Sequence, residues 1–100
     1  MINKMMENQK DMNVAIEIAK KYGIGKLYLF GSALTQKASN IHDYDFAVDE
    51  IPSGVFFRFC GTLLGLLSKP IDVVNLSGTQ NKFKTIVKKE ARLIYDRSKA

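Results

Sequence analysis

Apolar residues along the chain recur with two different periods, and the switches between them divide it into alternating elements. From Asp11 to Tyr22, Met12, Ala15, Ile16 and Ala19 return at spacings of three and four, the period of one helix face. Lys20 and Lys21 supply a basic last turn and Gly23 a stop. The run Lys26-Leu27-Tyr28-Leu29-Phe30 is short, aromatic-rich and bounded by glycines, which predicts a buried strand. Gly31 and Ser32 end it, and Ala33 to Lys37 fits a short helix. Asp43 to Val48 alternates as a second strand. Ser53, after Pro52, is a natural N-cap for a helix from about Gly54 to Leu67. Ile71 to Leu76 is β-branched and lies between Pro70 and Ser77-Gly78, which predicts a third strand. Thr79 to Lys89 reads as a basic helix with Phe83, Ile86 and Val87 on one face, and Arg92 to Tyr95 as a closing strand.

Strands alternating with helices put a sheet under helices. The connection between the first two strands is too short for a full crossover helix, so that pair is expected to be antiparallel and the sheet mixed. The expected fold class is therefore α+β, a two-layer arrangement in which a small mixed sheet has its helices packed on one face. With no repeat and no Pro/Gly/Ser-rich linker, residues 1–100 are expected to form a single domain.

Composition narrows the chemistry. Fifteen Lys and Arg against ten Asp and Glu leave a net charge of +5, which suits an anionic partner such as a nucleotide or a nucleic acid. One cysteine, Cys60, excludes an internal disulfide and a cysteine-based zinc site, and is expected to be a small core hydrophobe. No apolar run approaches the ~18 residues of a membrane span. Met1 to Lys10 is too polar for a signal peptide, so the expected compartment is the cytoplasm.

Asp43 and Asp45 are two apart on a predicted strand, which aims both side chains from one face. Two carboxylates held so close repel each other unless a cation lies between them, and hard oxygen donors suit Mg²⁺ with substrate phosphates completing its shell. Asp72, second in the next strand between Ile71 and Val73, is costly there without compensation. If the strands are neighbours it completes a three-carboxylate, two-metal site. On these residues alone the pair could equally cap a turn or face solvent, and Asp72 could sit at a strand edge in a salt bridge. Gly31-Ser32 weighs against that. A glycine permits close backbone approach, N–H groups opening a helix bind anions, and Ser32 adds a hydroxyl donor. A phosphate cradle beside paired carboxylates suits phosphoryl or nucleotidyl transfer.

Phe30-Gly31-Ser32, ten residues, then Asp43-Tyr44-Asp45 resembles the Gly-Ser-x10-Asp-x-Asp signature of the DNA polymerase β-like nucleotidyltransferase superfamily, especially its minimal MNT-type members. The likeness extends over the leading helix, the Ile71-Asp72-Val73-Val74 strand and the closing Ile94-Tyr95. It implies a polymerase β-like fold, with Gly31 and Ser32 holding nucleotide phosphates and Asp43 and Asp45 ligating two Mg²⁺ ions. Asp72 would ligate the catalytic metal and help deprotonate an acceptor hydroxyl that attacks the α-phosphorus of a nucleoside triphosphate. Such proteins are commonly paired with HEPN proteins in toxin–antitoxin modules, where some MNT antitoxins adenylylate a tyrosine of the toxin. This sequence departs from the pattern in carrying Ala33, Leu34 and Thr35 where many relatives have arginine. Gln36 stands where glycine is common and His42 replaces a small polar residue, while Lys37, a point charge, cannot reproduce a bidentate guanidinium.

The remaining features bear on partners. His42 fits a turn residue or a phosphate contact. Lys82, Lys84, Lys88 and Lys89 fit a solvated helix face, and without aromatics interleaved on it they argue against nucleic-acid binding. Val55, Phe56, Phe57, Phe59, Cys60, Leu63, Leu64, Leu66 and Leu67 wrap around one helix whose only charge is Arg58. A two-layer domain needs one apolar face, so the Val55–Leu67 helix is expected to meet a HEPN-type partner or a second copy of the chain. Two functions follow as expectations. One is Mg²⁺-dependent transfer of AMP from ATP to a hydroxyl of a partner protein by an antitoxin. The alternative is a catalytically weak antitoxin-like subunit that neutralises its partner by complex formation.

Overall fold

The computed structural model describes residues 4–31, 36, 40–77 and 82–99. In chain order the elements are α1 (Lys4–Lys21), β1 (Lys26–Phe30), β2 (Tyr44–Asp49), α2 (Phe56–Leu66), β3 (Ile71–Asn75), α3 (Lys82–Glu90) and β4 (Arg92–Asp96), followed by a 3-10 turn at Arg97–Lys99. The strands form one sheet in the order β3-β2-β1-β4. β1 pairs antiparallel with β2 and β4, and β2 pairs parallel with β3, so the sheet is mixed as expected.

Alternation along the strands sorts two cores. Leu27 and Leu29 of β1 and Tyr44, Phe46 and Val48 of β2 point to one face. There they meet Ala15, Ile18 and Ala19 of α1 and Phe59 and Leu63 of α2. Burying a side chain such as Phe46 or Leu63 contributes roughly 1.5–3 kcal/mol. Tyr28 and Ala47 point the other way and pack with Leu76 and Val87. The expectation that every helix shares one face is therefore corrected. α1 and α2 cover one side and α3 lies on the other, because Tyr28 and Phe30 of β1 and Ala47 of β2 give the second face a small apolar patch of its own.

Several boundaries also differ. α1 begins at Lys4 rather than Asp11, since its first turns are held by polar contacts from Glu7 and Asn8 to Lys69 that apolar periodicity cannot register. It stops as Gly23 turns to φ 72°, with Ile24 N–H donating to Ala19 and Gly23 N–H to Lys20, a paired closure that needs glycine's left-handed freedom. Ser53 does not cap α2. Residues 52–54 form a turn with Gly54 at φ 77°, and Val55 occupies the N-cap without a side-chain hydrogen bond. Ile86, expected on the buried face of α3, is exposed while Val87 is buried. The short helix expected over Ala33 to Lys37 and the first residues of the Thr79 to Lys89 helix lie outside the described residues, as does the Phe83 side chain. Among the described residues no helix is long and apolar enough to cross a membrane.

Candidate active site

Strand directions bring three ends together. β1 terminates at Phe30 where β2 begins, since Phe30 is the Cα partner of Asp45. The parallel pairing then sets Asp45 directly opposite Asp72. Cross-strand partners share a face, so Asp45 and Asp72 project together from the side that also carries α3. Asp43 lies just before β2 and is exposed, as are His42 and Asp72, while Asp45 is half-buried. The exposure of Asp72 corrects the expectation that its strand makes it costly. β3 is an edge strand, and the carboxylate faces water without a desolvation penalty.

Gly31 closes the corner. Its φ of 79° is a left-handed conformation suited to glycine, and a Cβ there would overlap the Asp45 carboxylate. The carboxyl is thus seated against bare backbone. Ser32, expected to supply a hydroxyl to phosphate, lies outside the described residues, as do Ala33, Leu34, Thr35 and Lys37.

The electrostatics separate this cluster from a structural acid on the same strand. Burial, and then the negative charges of Asp43 and Asp72, push the Asp45 carboxyl above the ordinary carboxylate range. Among the described residues no Lys or Arg forms an ion pair with Asp43, Asp45 or Asp72. Asp49, four residues along β2 on the same face, has Lys88 Nζ at 3.0 Å and Lys84 Nζ at 3.6 Å. Burial works to raise its carboxyl too. Hydrogen bonds from Lys88 and the Glu50 N–H, with the charges of both lysines, outweigh it and hold Asp49 below its ordinary value. One carboxylate is neutralised by the fold, and the other has no such basic partner among the described residues.

The described His, Cys, Asp and Glu side chains form no group of three closed to metal-ligand spacing. The donor set still suits Mg²⁺, which is typically bound by one or two carboxylates with water and substrate phosphates rather than by an all-protein cage. Asp43 and Asp72 each lie within electrostatic reach of Asp45, as the Asp45 shift records.

On the other side of β3, a groove of about 280 Å³ separates it from α2 and reaches Asp72. Cys60 lines this groove half-buried, rather than lying fully in the core, and burial raises its thiol above the ordinary value. Phe57 is 85% and Leu64 62% exposed on α2, whereas Phe59 and Leu63 are buried. The helix thus has a buried apolar face and a second apolar face open to solvent.

Four residues near the acids were not singled out by the motif: Asp11, Tyr44, Ser68 and Lys69, which form a connected polar cluster. A signal for the first existed. Asp11 falls on the apolar stripe of Ala15, Ile18 and Ala19, where a carboxylate needs partners.

Comparison with known proteins bears on the fold and the family. The family described as Polymerase beta, Nucleotidyltransferase matches residues 13–100. No curated protein matches the sequence. Among solved structures, the toxin–antitoxin MntA–HepT superposes with a TM-score of 0.63 at 18% identity, over 91% of this chain and 74% of that one. A toxin–antitoxin structure with AMP-PNP gives 0.63 at 20% identity, over 88% and 75%. The tri-AMPylated Shewanella oneidensis HEPN toxin in complex with MNT antitoxin gives 0.61 at 17% identity, over 91% and 74%. At these identities the likeness is one of fold.

Proposed function

The chain belongs to the polymerase β nucleotidyltransferase family, and from that premise we propose that it is an MNT-type antitoxin that transfers AMP from ATP to a hydroxyl of a HEPN-type partner protein in the cytoplasm. The observation that carries this reading is the apposition of Asp45 and Asp72 beside Gly31, with like charges left uncompensated among the described residues. Two of the solved structures of this fold are an MNT antitoxin with a tri-AMPylated HEPN toxin and a toxin–antitoxin pair with AMP-PNP.

In this mechanism Gly31 admits the triphosphate close to the backbone and Ser32 donates to it. Asp43, Asp45 and Asp72 would hold two Mg²⁺ ions, which when bound would neutralise phosphate charge and lower the pKa of the acceptor hydroxyl. Asp72, exposed on its edge strand, accepts the acceptor's proton. The acceptor oxygen forms a bond to the α-phosphorus, the bond from that phosphorus to the β-phosphate oxygen breaks, and pyrophosphate leaves. In this reading the HEPN-type partner supplies the acceptor surface.

A second reading, an antitoxin-like subunit that neutralises its partner by binding alone, is favoured by the exposed Phe57 and Leu64 and by Ala33, Leu34 and Thr35 in place of arginine. Incubation with a purified HEPN-type partner, Mg²⁺ and ATP separates the two. A partner that gains AMP with this chain and gains none with Asp43→Ala or Asp45→Ala supports transfer. A tight complex without modification supports binding alone.

A further inference from the structure

The geometry points to a buried polar clamp, Tyr44–Asp11–Ser68, as the device that positions Asp45 against Asp72. Tyr44 stands between Asp43 and Asp45, and Ser68-Lys69-Pro70 is the segment that delivers Ile71-Asp72 to the sheet. These two segments are tied twice. The Tyr44 backbone N–H donates to the Pro70 carbonyl at 3.0 Å. On the other side of the backbone, the Tyr44 hydroxyl donates to Asp11 Oδ2 at 2.6 Å and lies 2.8 Å from Asn8 Oδ1. Asp11 in turn accepts from Ser68 through its backbone N–H at 3.1 Å and its hydroxyl at 2.5 Å. The loop closes on itself: side chain of 44, carboxylate of 11, residue 68, two peptide units, and back to the amide of 44.

Lys69 completes the packing. It is buried, donates to Glu7 Oε1 at 2.7 Å and Asn8 Oδ1 at 2.9 Å, and its ammonium lies 5.5 Å from the centre of the Tyr44 ring. Tyr44 and Asp11 are buried as well. Burial and the bond to Asp11 raise the Tyr44 hydroxyl above its ordinary range, so it remains a donor. A network this buried is costly when any member is unpaired, and for that reason it selects one arrangement sharply.

What it selects is register. Side chains on a strand alternate, so sliding β3 by a single residue along β2 would set Ile71 or Val73 opposite Asp45 and turn Asp72 towards the α1–α2 face. β3 is an edge strand whose one strand partner is β2, and its apolar residues, Ile71 and Val73 on one face and Val74 on the other, specify the two faces weakly. The clamp sits at the end of the pair where the acids are. Tyr44, Asp11 and Ser68 are therefore positioning residues that act through the two aspartates.

The inference rests on the reading of Asp43, Asp45 and Asp72 as the metal-holding set, and two readouts keep the two ideas apart. The first needs no metal: backbone amide hydrogen exchange, resolved by residue, in the full chain carrying Tyr44→Phe or Asp11→Asn, with Ser68→Ala as a milder third variant. Exchange at position 44 and at Asp72 is expected to rise about tenfold or more while the β1 amides of Leu27 and Leu29 keep their protection. The second is Mn²⁺ affinity, which is expected to fall about tenfold in the same variants. Exchange that rises evenly across the whole sheet, or not at all at positions 44 and 72, overturns the clamp. So does Mn²⁺ affinity that stays at the wild-type value in variants whose register has loosened. If wild-type protein binds no Mn²⁺, the metal-site reading fails, and the exchange pattern still decides whether the clamp sets the register.

Discussion

Asp45 and Asp72 are Cα partners across the parallel pair β2–β3, which sets two like charges side by side at one end of the sheet. With Asp43 beside them, the Asp45 carboxyl is raised by burial and by both neighbours. A raised acid is stabilising in its protonated form. Its contribution is fully present below the unfolded value of about 3.9 and is lost as pH rises through the higher folded value. At neutral pH the ionised Asp45 therefore costs stability. Asp45→Asn is expected to melt at a higher temperature than wild type at pH 7 and at the same temperature at pH 3, while losing nucleotide transfer. A lower melting temperature at pH 7 would contradict this.

Gly31→Ala probes the corner. The left-handed φ of 79° costs a side chain about 1–2 kcal/mol, and the added methyl overlaps the Asp45 carboxylate. Urea unfolding is expected to show that loss, and ATP binding, followed by calorimetry, is expected to weaken. An alanine variant with wild-type stability and wild-type ATP affinity would show that neither the conformation nor the contact matters.

Asp49 tests the distinction between a structural and a functional carboxylate. Its pairing with Lys88 and Lys84 holds it below the ordinary range, so its stabilising contribution is present above the unfolded value and is lost as pH falls through the folded one. Asp49→Asn is expected to cost roughly 1–3 kcal/mol at pH 7, with the deficit shrinking in acid. That is opposite in sign to Asp45→Asn, and thermal melts of the two variants across pH 3–7 compare them directly.

Phe57 bears on the partner. At 85% exposure its removal touches little of the fold, so Phe57→Ser is expected to change stability by no more than about 0.5 kcal/mol. If α2 is the docking helix, the same variant weakens the complex with a HEPN-type partner by roughly thirtyfold, as for a central apolar anchor. Leu63→Ala, six residues along and buried, is expected to cost about 2–5 kcal/mol of stability. Calorimetric titration of the partner against Phe57→Ser gives the affinity.

Sequence patterns carried the sheet well, for reasons visible in particular residues. Lys26–Phe30 and Ile71–Asn75 are short β-rich runs between breakers, and their positions emerge within a residue of expectation. The strand positions of Asp45 and Asp72 were legible, and the parallel register sets these two opposite each other, whereas Asp43, expected on the strand, lies just before it. Periodicity failed where polar contacts do the holding. The first turns of α1 rest on Glu7 and Asn8 rather than on an apolar stripe. The far-face packing of α3 through Val87 and the Asp49 ion pairs depends on long-range contacts that spacing along the chain does not encode. Of the Tyr44–Asp11–Ser68 clamp only Asp11, a carboxylate on an apolar stripe, left a signal in the sequence; its partners did not, since the members lie 24 to 57 positions apart.

The most direct measurement of the central claim follows two labels through one reaction. The chain is mixed with a HEPN-type partner, Mg²⁺ and ATP labelled at either the α- or the γ-phosphate, and the partner is separated and counted. Nucleotidyl transfer predicts label on the partner from α-labelled ATP only, γ-label recovered in pyrophosphate, and neither outcome with Asp72→Asn. Label reaching the partner from the γ-position, or α-label transferred undiminished by Asp72→Asn, would contradict the assignment of these three aspartates to this reaction.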